Sequence, residues 1–218
     1  MSFGRVPPSP PCCAPIEETL SKERFVPSAL GIKSWSDGIP TCAEARPRTC
    51  ACCGAAGQPV GKRLAIVGHG LVERQVLGPG SATSAPARTV VQMRRYRCRS
   101  CRAILLVGPR GLVARRWYGA GAIALAFVAY ARGETTAAVR RRTSPSKLVG
   151  GSARERWVTL LRWLDAAGRG DLFAVSNLGA PGRRQVAEQV SLALAARAGR
   201  ELGEDLAEAA FAGAVEAA

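Results

Sequence analysis

The sequence predicts an α+β fold in which a small β domain precedes a helical domain. Short runs with a two-residue apolar period lie between residues 63 and 107; one CxxC pair precedes them at residues 50–53, and a second lies before the last run at residues 98–101. After residue 117, apolar residues recur every three to four positions instead. The chain has 218 residues, of which 47% are hydrophobic, so it can form the cores of one or two domains.

Residues 1–45 are expected to be a flexible, proline-rich leader. Segments such as PPSPPCC and SWSDGIP favour turns and have no period, apart from a short helix predicted around Glu17–Arg24. The first residues of the sequence do not show the charged segment followed by an apolar segment that is typical of an export signal. The longest apolar run, Tyr118–Ala131, is shorter than the roughly 20 residues that cross a bilayer. We therefore expect a cytoplasmic protein with reduced cysteines and no membrane partner.

The β domain is predicted over residues 46–112. The segments RLAIV and LVERQVL, separated by Gly68-His69-Gly70, predict a hairpin, and TVVQMRRYRC predicts a third strand. Residues Ala103–Val107 predict a fourth strand, which Gly108 and Pro109 are expected to end.

The helical domain is predicted over residues 113–168, followed by a linker and a C-terminal helical tail over 169–218. A glycine between the first two helices, Gly133, and a capping threonine, Thr135 or Thr136, give a layout like a helix-turn-helix. A plain helical bundle is the alternative. In the third helix Trp157, Leu160, Leu161 and Leu164 form one apolar stripe. The helices are expected at Gly119–Ala131, Thr136–Arg142, Ala153–Ala167, Gln185–Ala198 and Leu202–Ala217.

Four cysteines in two CxxC pairs are predicted to bind one structural zinc ion. Structural zinc takes four ligands, and each CxxC turn supplies two thiolates: Cys50 and Cys53, then Cys98 and Cys101. Strands between the pairs would bring them together, so the β domain is predicted to be a zinc ribbon. Iron is a chemically possible alternative, and Cys52 could replace Cys50. A thioredoxin-like redox site is disfavoured because neither pair opens a helix. No ligand role is assigned to Cys12, Cys13, Cys42 or His69.

The residues after the two CxxC pairs differ. Gly54 follows the first pair and suits a turn whose next residue has a positive φ. Arg102 occupies the equivalent position in the second pair. This second turn is therefore expected to adopt another conformation or to carry some strain.

Basic residues are concentrated in the middle of the chain. Lys and Arg number 31 against 16 acidic residues, for a net charge of +15, which favours a polyanionic partner such as DNA. Codon usage in a GC-rich genome could explain arginine in place of lysine. It does not explain why the segment between Glu73 and Glu134 has 11 arginines and no carboxylate. The predicted nucleic-acid contacts are Arg94, Arg95, Arg97, Arg99, Arg102, Arg115, Arg116, Arg140, Arg141, Arg142, Arg154 and Arg156.

Aromatic residues lie among these arginines. Tyr96 and Trp117 could stack on bases, or could instead belong to the core. For Trp117 and Trp157 the core is the favoured position, because large aromatic side chains contribute strongly to burial.

The order of these motifs resembles a known group of proteins. In chain order the motifs are CxxCG, the basic hairpin, RRYRCRSC and RRWY, followed by three helices with RRRTSP before the third. The motifs resemble the N-terminal region of bacterial insertion-sequence transposases. More closely, they resemble an uncharacterised bacterial zinc-ribbon and helix-turn-helix family related to those transposases. The similarity covers roughly residues 50–167 and extends to the FAGA-containing tail. It implies zinc binding by the four cysteines and DNA binding at an element end or an operator, which would associate the protein with the nucleoid.

The resemblance also bears on catalysis. Transposases of that kind continue into a domain with three metal-binding carboxylates, which needs on the order of 100–200 residues. Only about 50 residues follow the third predicted helix. We therefore expect a non-catalytic, zinc-dependent DNA-binding protein without a small-molecule substrate, either a transposon accessory or a transcriptional regulator. The alternatives are a protein–protein interaction module that contacts a transposase or a polymerase, an enzyme or the remnant of one, and RNA binding.

Overall fold

The computed structural model describes residues 23–146, 156–175, 182–199 and 205–218, which form a four-stranded sheet and six helices. The α+β prediction is confirmed. None of the helices in the described segments has the length and apolarity that a bilayer crossing requires. The strands are β1 (Glu23–Gly31), β2 (Ile66–Pro79), β3 (Pro86–Cys98) and β4 (Ile104–Arg110). The helices are α1 (Ile32–Asp37), α2 (Ala120–Ala131), α3 (Thr136–Thr143), α4 (Val158–Gly168), α5 (Arg183–Arg197) and α6 (Leu206–Ala217).

The sheet has the strand order β1-β4-β3-β2. The strand β3 pairs with β2 and with β4 in antiparallel orientation, and β1 pairs with β4 in parallel. Because side chains alternate along a strand, Met93, Arg95 and Arg97 of β3 project from one face, and Arg94 and Tyr96 project from the other. We call the first of these the Met93 face.

The prediction that residues 1–45 form a flexible leader is wrong for residues 23–45. Residues 23–31 form the edge strand β1, whose internal Pro27 is tolerated because an edge strand has one unpaired side. The following helix α1 contributes Trp35, which is fully buried and donates a hydrogen bond from Nε1 to the Gln92 carbonyl oxygen at 2.7 Å. The short helix predicted around Glu17–Arg24 lies mostly outside the described residues, and Glu23 and Arg24 belong to β1.

The predicted turn at residues 68–70 is also wrong. The strand β2 continues through these residues and pairs with β3 from Ile66 to Pro79, with a register shift between Gly68 and Leu71. The glycines therefore accommodate a β-bulge, with Gly70 at φ +100°, rather than a hairpin turn. The strand β4 similarly continues past Gly108 and Pro109 to Arg110.

The helices share one hydrophobic cluster. Most of α2 is buried, which is typical of a helix that is apolar on all sides, and α4, α5 and α6 pack around it. The predicted stripe on α4 is confirmed, since all four of its residues are buried. The described part of the predicted tail is not a separate appendage, because Val190, Leu194 and Ala210 belong to the same cluster.

A second cluster lies in the sheet and includes Cys50 and Cys98. The two clusters meet where β2 passes α2. A Cβ added at Gly78 would lie 2.3 Å from the Ala122 Cβ, so this position requires glycine. Beside it, the Leu77 N–H donates to the Trp117 carbonyl at 2.7 Å, and the Gly119 N–H donates to the Leu77 carbonyl at 3.2 Å. These bonds fix the segment before α2 against the sheet.

Candidate metal centre and basic surface

The sulfur atoms of Cys50, Cys53, Cys98 and Cys101 all lie within 4.8 Å of one another. The Cys50 and Cys101 sulfurs are 3.7 Å apart, and those of Cys53 and Cys98 are 3.8 Å apart. A tetrahedral ion with metal–sulfur bonds of about 2.3 Å separates its ligands by about 3.8 Å. The four predicted cysteines are thus brought together and could bind a metal ion.

The two CxxC turns have matching backbone hydrogen bonds. In the first turn, the Cys50 N–H donates to the Ala55 carbonyl and the Gly54 N–H donates to the Cys50 carbonyl, both at 2.9 Å. In the second, the Cys98 N–H donates to the Ala103 carbonyl and the Arg102 N–H to the Cys98 carbonyl, again at 2.9 Å. Two turns with the same geometry present two pairs of sulfurs to one point.

The residue after each pair has a left-handed backbone. Gly54 has φ +72° and Arg102 has φ +62°. Of the two expectations for the second turn, the structure shows strain: an arginine takes the conformation that favours glycine.

The other candidate ligands lie outside the cluster. Cys52 does not replace Cys50; its N–H donates to the Cys50 sulfur at 3.4 Å. His69 is exposed on the bulge of β2, and Cys42 packs against the sheet cluster, where its carbonyl accepts a hydrogen bond from the Tyr96 hydroxyl at 2.9 Å. Cys12 and Cys13 lie outside the described residues.

Because the four thiols pack together, the pKa values of Cys98 and Cys101 shift in opposite directions. Burial, reinforced by the neighbouring thiols, raises the pKa of Cys101. Burial also tends to raise the pKa of Cys98, but N–H groups of Cys101 and Ser100 and two adjacent thiols outweigh it and lower the pKa to about 7. A thiol with such a pKa is readily deprotonated, and the thiolate is the form that binds a metal.

The predicted nucleic-acid contacts differ in exposure. Arg94 is half-buried, and its Nε donates to the Pro40 carbonyl on the side away from the Met93 face. Arg154 lies outside the described residues. Two groups remain: Arg95, Arg97, Arg99, Arg102, Arg115 and Arg116 on the sheet and its flanking turns, and Arg140, Arg141, Arg142 and Arg156 on α3 and just before α4. In the first group Arg95 and Arg116 are half-buried and the rest exposed, and in the second only Arg140 is half-buried.

Ion pairs distinguish the two halves of the molecule. Within the described part of the chain, the six sheet-group arginines form no ion pair with a carboxylate. The helical half is different, because Arg132, Arg142 and Arg183 are paired with Asp205, Glu134 and Asp165. The Arg183 guanidinium holds the pKa of Asp165 below its ordinary value. On the sheet itself, Arg110 at the end of β4 is paired with Glu216 of α6, so it is the six sheet-group arginines that keep their charge without a carboxylate partner in the described residues.

Of the two tryptophans predicted to belong to the core, one is buried, and Tyr96, for which the sequence allows two positions, is buried as well. Tyr96 and Trp157 are buried, and burial raises the pKa of Tyr96 to about 12. The prediction that Trp117 belongs to the core is wrong, because 64% of its surface is exposed. Its neighbour Tyr118 turns inward instead and packs edge-on against Trp163 at 4.9 Å. In an extended segment, adjacent side chains point to opposite sides.

One residue beside these arginines was missed. Arg74 of β2 is half-buried, its guanidinium lies 5.9 Å from the Phe25 ring centroid, and it donates hydrogen bonds to the carbonyls of Val113 and Arg116. Its place in an alternating strand gives no signal of this role, because the acceptors lie about 40 residues away in sequence.

Comparison with protein-family models, curated proteins and solved structures gives no match to this chain.

Proposed function

We propose that this chain is a non-catalytic DNA-binding protein in which a structural zinc ion positions a cluster of unpaired arginines. The single observation that carries the proposal is the neutralisation pattern: the sheet-group arginines lack carboxylate partners in the described residues, whereas several helical arginines have them. Guanidinium groups bind phosphate oxygens in a bidentate manner, and a surface of this kind suits a phosphate backbone.

The donor set favours zinc as the metal. Four cysteine sulfurs with edges of 3.7 and 3.8 Å fit tetrahedral thiolate ligation, which is typical of zinc-ribbon sites. Iron accepts the same four thiolates, so metal analysis distinguishes the two. Four protein ligands leave no position for a reactive water, and the ion would therefore stabilise the fold rather than catalyse a reaction. The ion would join the second turn to the rest of the sheet, with Arg99 between the two cysteines of that turn and Arg102 directly after them.

The helix-turn-helix part of the proposal rests on α2 and α3. The helices α2 and α3 are joined by a short turn with Gly133 at φ +99°, and Thr135 caps α3 through a hydrogen bond from the Ala138 N–H at 3.2 Å. However, α3 has only eight residues, and the Arg142 guanidinium in its last turn is paired with Glu134. We propose that the sheet side supplies most of the phosphate contacts and that α3 supplements them.

The resemblance of residues 50–167 to the N-terminal region of insertion-sequence transposases agrees with this proposal and suggests a transposon accessory or a transcriptional regulator. A non-catalytic role is proposed because the carboxylates of the helical half act as surface ion-pair partners. Asp165, Asp171 and Asp205 each pair with an arginine, which is not the arrangement of a catalytic metal site.

The experiment combines metal analysis with DNA binding on one purified sample. We expect one zinc per chain and duplex affinity that falls about a thousandfold between about 50 and 200 mM salt, for roughly six phosphate contacts. The double variant Arg97→Ala/Arg99→Ala should reduce the log–log salt slope by about 1.8. The matched control, Arg169→Ala/Arg183→Ala, removes the same charge from two ion-paired arginines and should leave the slope nearly unchanged.

The alternatives give different results. Equal losses in the two double variants would mean that net charge, and not this surface, attracts DNA. One zinc with no duplex binding at either salt concentration would refute DNA binding and would favour the protein-interaction module. A chain purified without metal that keeps its fold would refute the zinc assignment.

A further inference from the structure

The Met93 face of the sheet ends in a pocket of about 480 Å³, a volume within the range of ligand sites. Its apolar floor consists of Phe25, Met93 and Leu106, from three different strands. Its rim includes two arginines and a tryptophan from one short segment, residues 115–117. The only carboxylate among its described lining residues is Glu23.

The rim segment is held in place by hydrogen bonds rather than by burial. A tight turn forms where the Arg116 N–H donates to the Val113 carbonyl at 3.2 Å, and Arg115 takes the left-handed conformation at φ +58°. The Arg74 guanidinium donates to the carbonyls of Val113 and Arg116, the first and last residues of this turn. The Leu77 N–H donates to the carbonyl of Trp117. The segment is therefore preorganised, with its side chains left free.

Trp117 is unusual among the tryptophans of the described chain. Trp35, Trp157 and Trp163 are at most 4% exposed, whereas Trp117 is 64% exposed beside the pocket. An exposed indole next to guanidinium groups is the arrangement on which unpaired bases stack in single-strand binding proteins. Paired bases in a duplex have no free face for such stacking.

Positive charge extends from the pocket along the same face. Arg95 lies next to Leu106 in the pairing of β3 with β4, and its Nε is buried without a hydrogen-bond partner. Arg97 follows on the same face, about 7 Å further along the strand, and is exposed. A strand that left the pocket could place its phosphates along these two residues.

We propose that the Met93 face binds single-stranded DNA, with an unpaired base stacked on Trp117 at the pocket and the adjoining phosphates bound by Arg115, Arg116, Arg95 and Arg97. This inference rests on the proposed DNA-binding function and specifies its substrate as an unpaired segment. Such segments arise where a duplex is opened.

The test uses the full-length, metal-loaded protein and an oligothymidylate of about 12 nucleotides, within the site sizes of single-strand grooves. Stacking on the exposed indole should quench the tryptophan fluorescence, and Trp117→Phe should abolish the quenching while it retains binding. Trp117→Ala should weaken binding, measured by anisotropy of a labelled oligonucleotide, by about 5- to 150-fold. Val90→Ala is the matched control, since Val90 is a 52% exposed apolar residue on the opposite face of β3, and it should change nothing.

A second variant guards against a folding defect. Arg115→Gly removes the guanidinium and relieves the left-handed strain, so it should weaken oligonucleotide binding severalfold without loss of stability. Unchanged single-strand affinity in Trp117→Ala would overturn the inference. Duplex binding of the expected salt dependence, with no fluorescence quenching by the oligonucleotide, would overturn this inference alone. Absence of both kinds of binding would overturn the proposed function as well.

Discussion

Replacement of Arg102 by glycine is expected to raise stability and to weaken DNA binding at the same time. The residue has φ +62°, and a left-handed backbone costs an L-residue about 1–2 kcal/mol. Glycine removes this strain but increases the entropy of the unfolded chain, which offsets about 0.4–1 kcal/mol. The net expectation is a gain of roughly 0.5–1 kcal/mol in the free energy of unfolding.

The equivalent turn supplies the control. Gly54 has φ +72°, and a Cβ added there would meet nothing within 4 Å, so Gly54→Ala introduces backbone strain without a steric clash. It should lower the free energy of unfolding by the same roughly 0.5–1 kcal/mol. For a chain of this length, each kcal/mol shifts Tm by about 2–4 °C. Urea denaturation and thermal unfolding of the metal-loaded proteins measure both changes.

DNA binding is measured on the same variants. If Arg102 contacts one phosphate, Arg102→Gly should reduce the log–log salt slope by about 0.9, whereas Gly54→Ala should leave the slope unchanged. The reasoning is refuted if Arg102→Gly unfolds at a lower urea concentration than the wild type. A stabilised variant with unaltered DNA binding would remove Arg102 from the proposed interface.

Other expected outcomes concern the metal centre and the helices. Cys98→Ser should abolish stoichiometric metal binding and unfold the sheet half, since structural zinc contributes about 10–16 kcal/mol of apparent binding energy. Cys52→Ser should retain the metal. Far-UV CD and metal analysis measure both effects, and wild-type behaviour of Cys98→Ser would contradict the assignment. Gly213→Ala should lower the free energy of unfolding by about 1–3 kcal/mol, because the added Cβ would lie 1.7 Å from the Leu194 carbonyl oxygen. A Cβ added at Gly38 meets nothing within 4 Å, so Gly38→Ala should have little effect. Urea denaturation measures both variants. Thr135→Ala should cost about 1 kcal/mol through loss of the cap on α3, and Thr135→Ser should restore most of it; equal stability of the two variants would rule out the cap.

The sequence predicts best what depends on local pattern. The four clustered cysteines follow from spacing. The bounds of α2 and α3 agree with the prediction to within one residue, because the apolar period and the cap at Thr135 are local signals. The strand β1 escaped prediction because its pairing partner β4 lies about 80 residues away, and a central proline makes its sequence resemble a loop. The bulge at Gly70 was not predicted, because two nearby glycines are typical of both turns and bulges.

Trp117 shows a further limit of sequence reasoning. The segment RRWY precedes an apolar helix, so either aromatic residue could enter the core. The hydrogen bonds between the Trp117 segment and Leu77 fix the backbone so that Tyr118 turns inward, where its hydroxyl donates to the Ser144 Oγ at 2.7 Å. Because Tyr118 points inward, its neighbour Trp117 points outward. Which of the two enters the core depends on the hydrogen bonds to β2, and the sequence around residues 117 and 118 does not contain that strand.

Backbone strain provides the final link between the fold and the proposed interface. Among the described residues, four that are not glycine have a positive φ, and one of them, Phe173, packs edge-on against the Phe127 ring. The exposed side chains of Arg102 and Arg115 form no hydrogen bond or ion pair in the described structure. Backbone hydrogen bonds hold both turns, but no side-chain contact offsets the cost of an arginine where glycine fits better. Such outliers concentrate at functional sites. Since both arginines flank the basic side of the sheet, the compensating contact is expected from an anionic partner. Opposite signs for stability and DNA affinity at both positions would identify that partner as DNA.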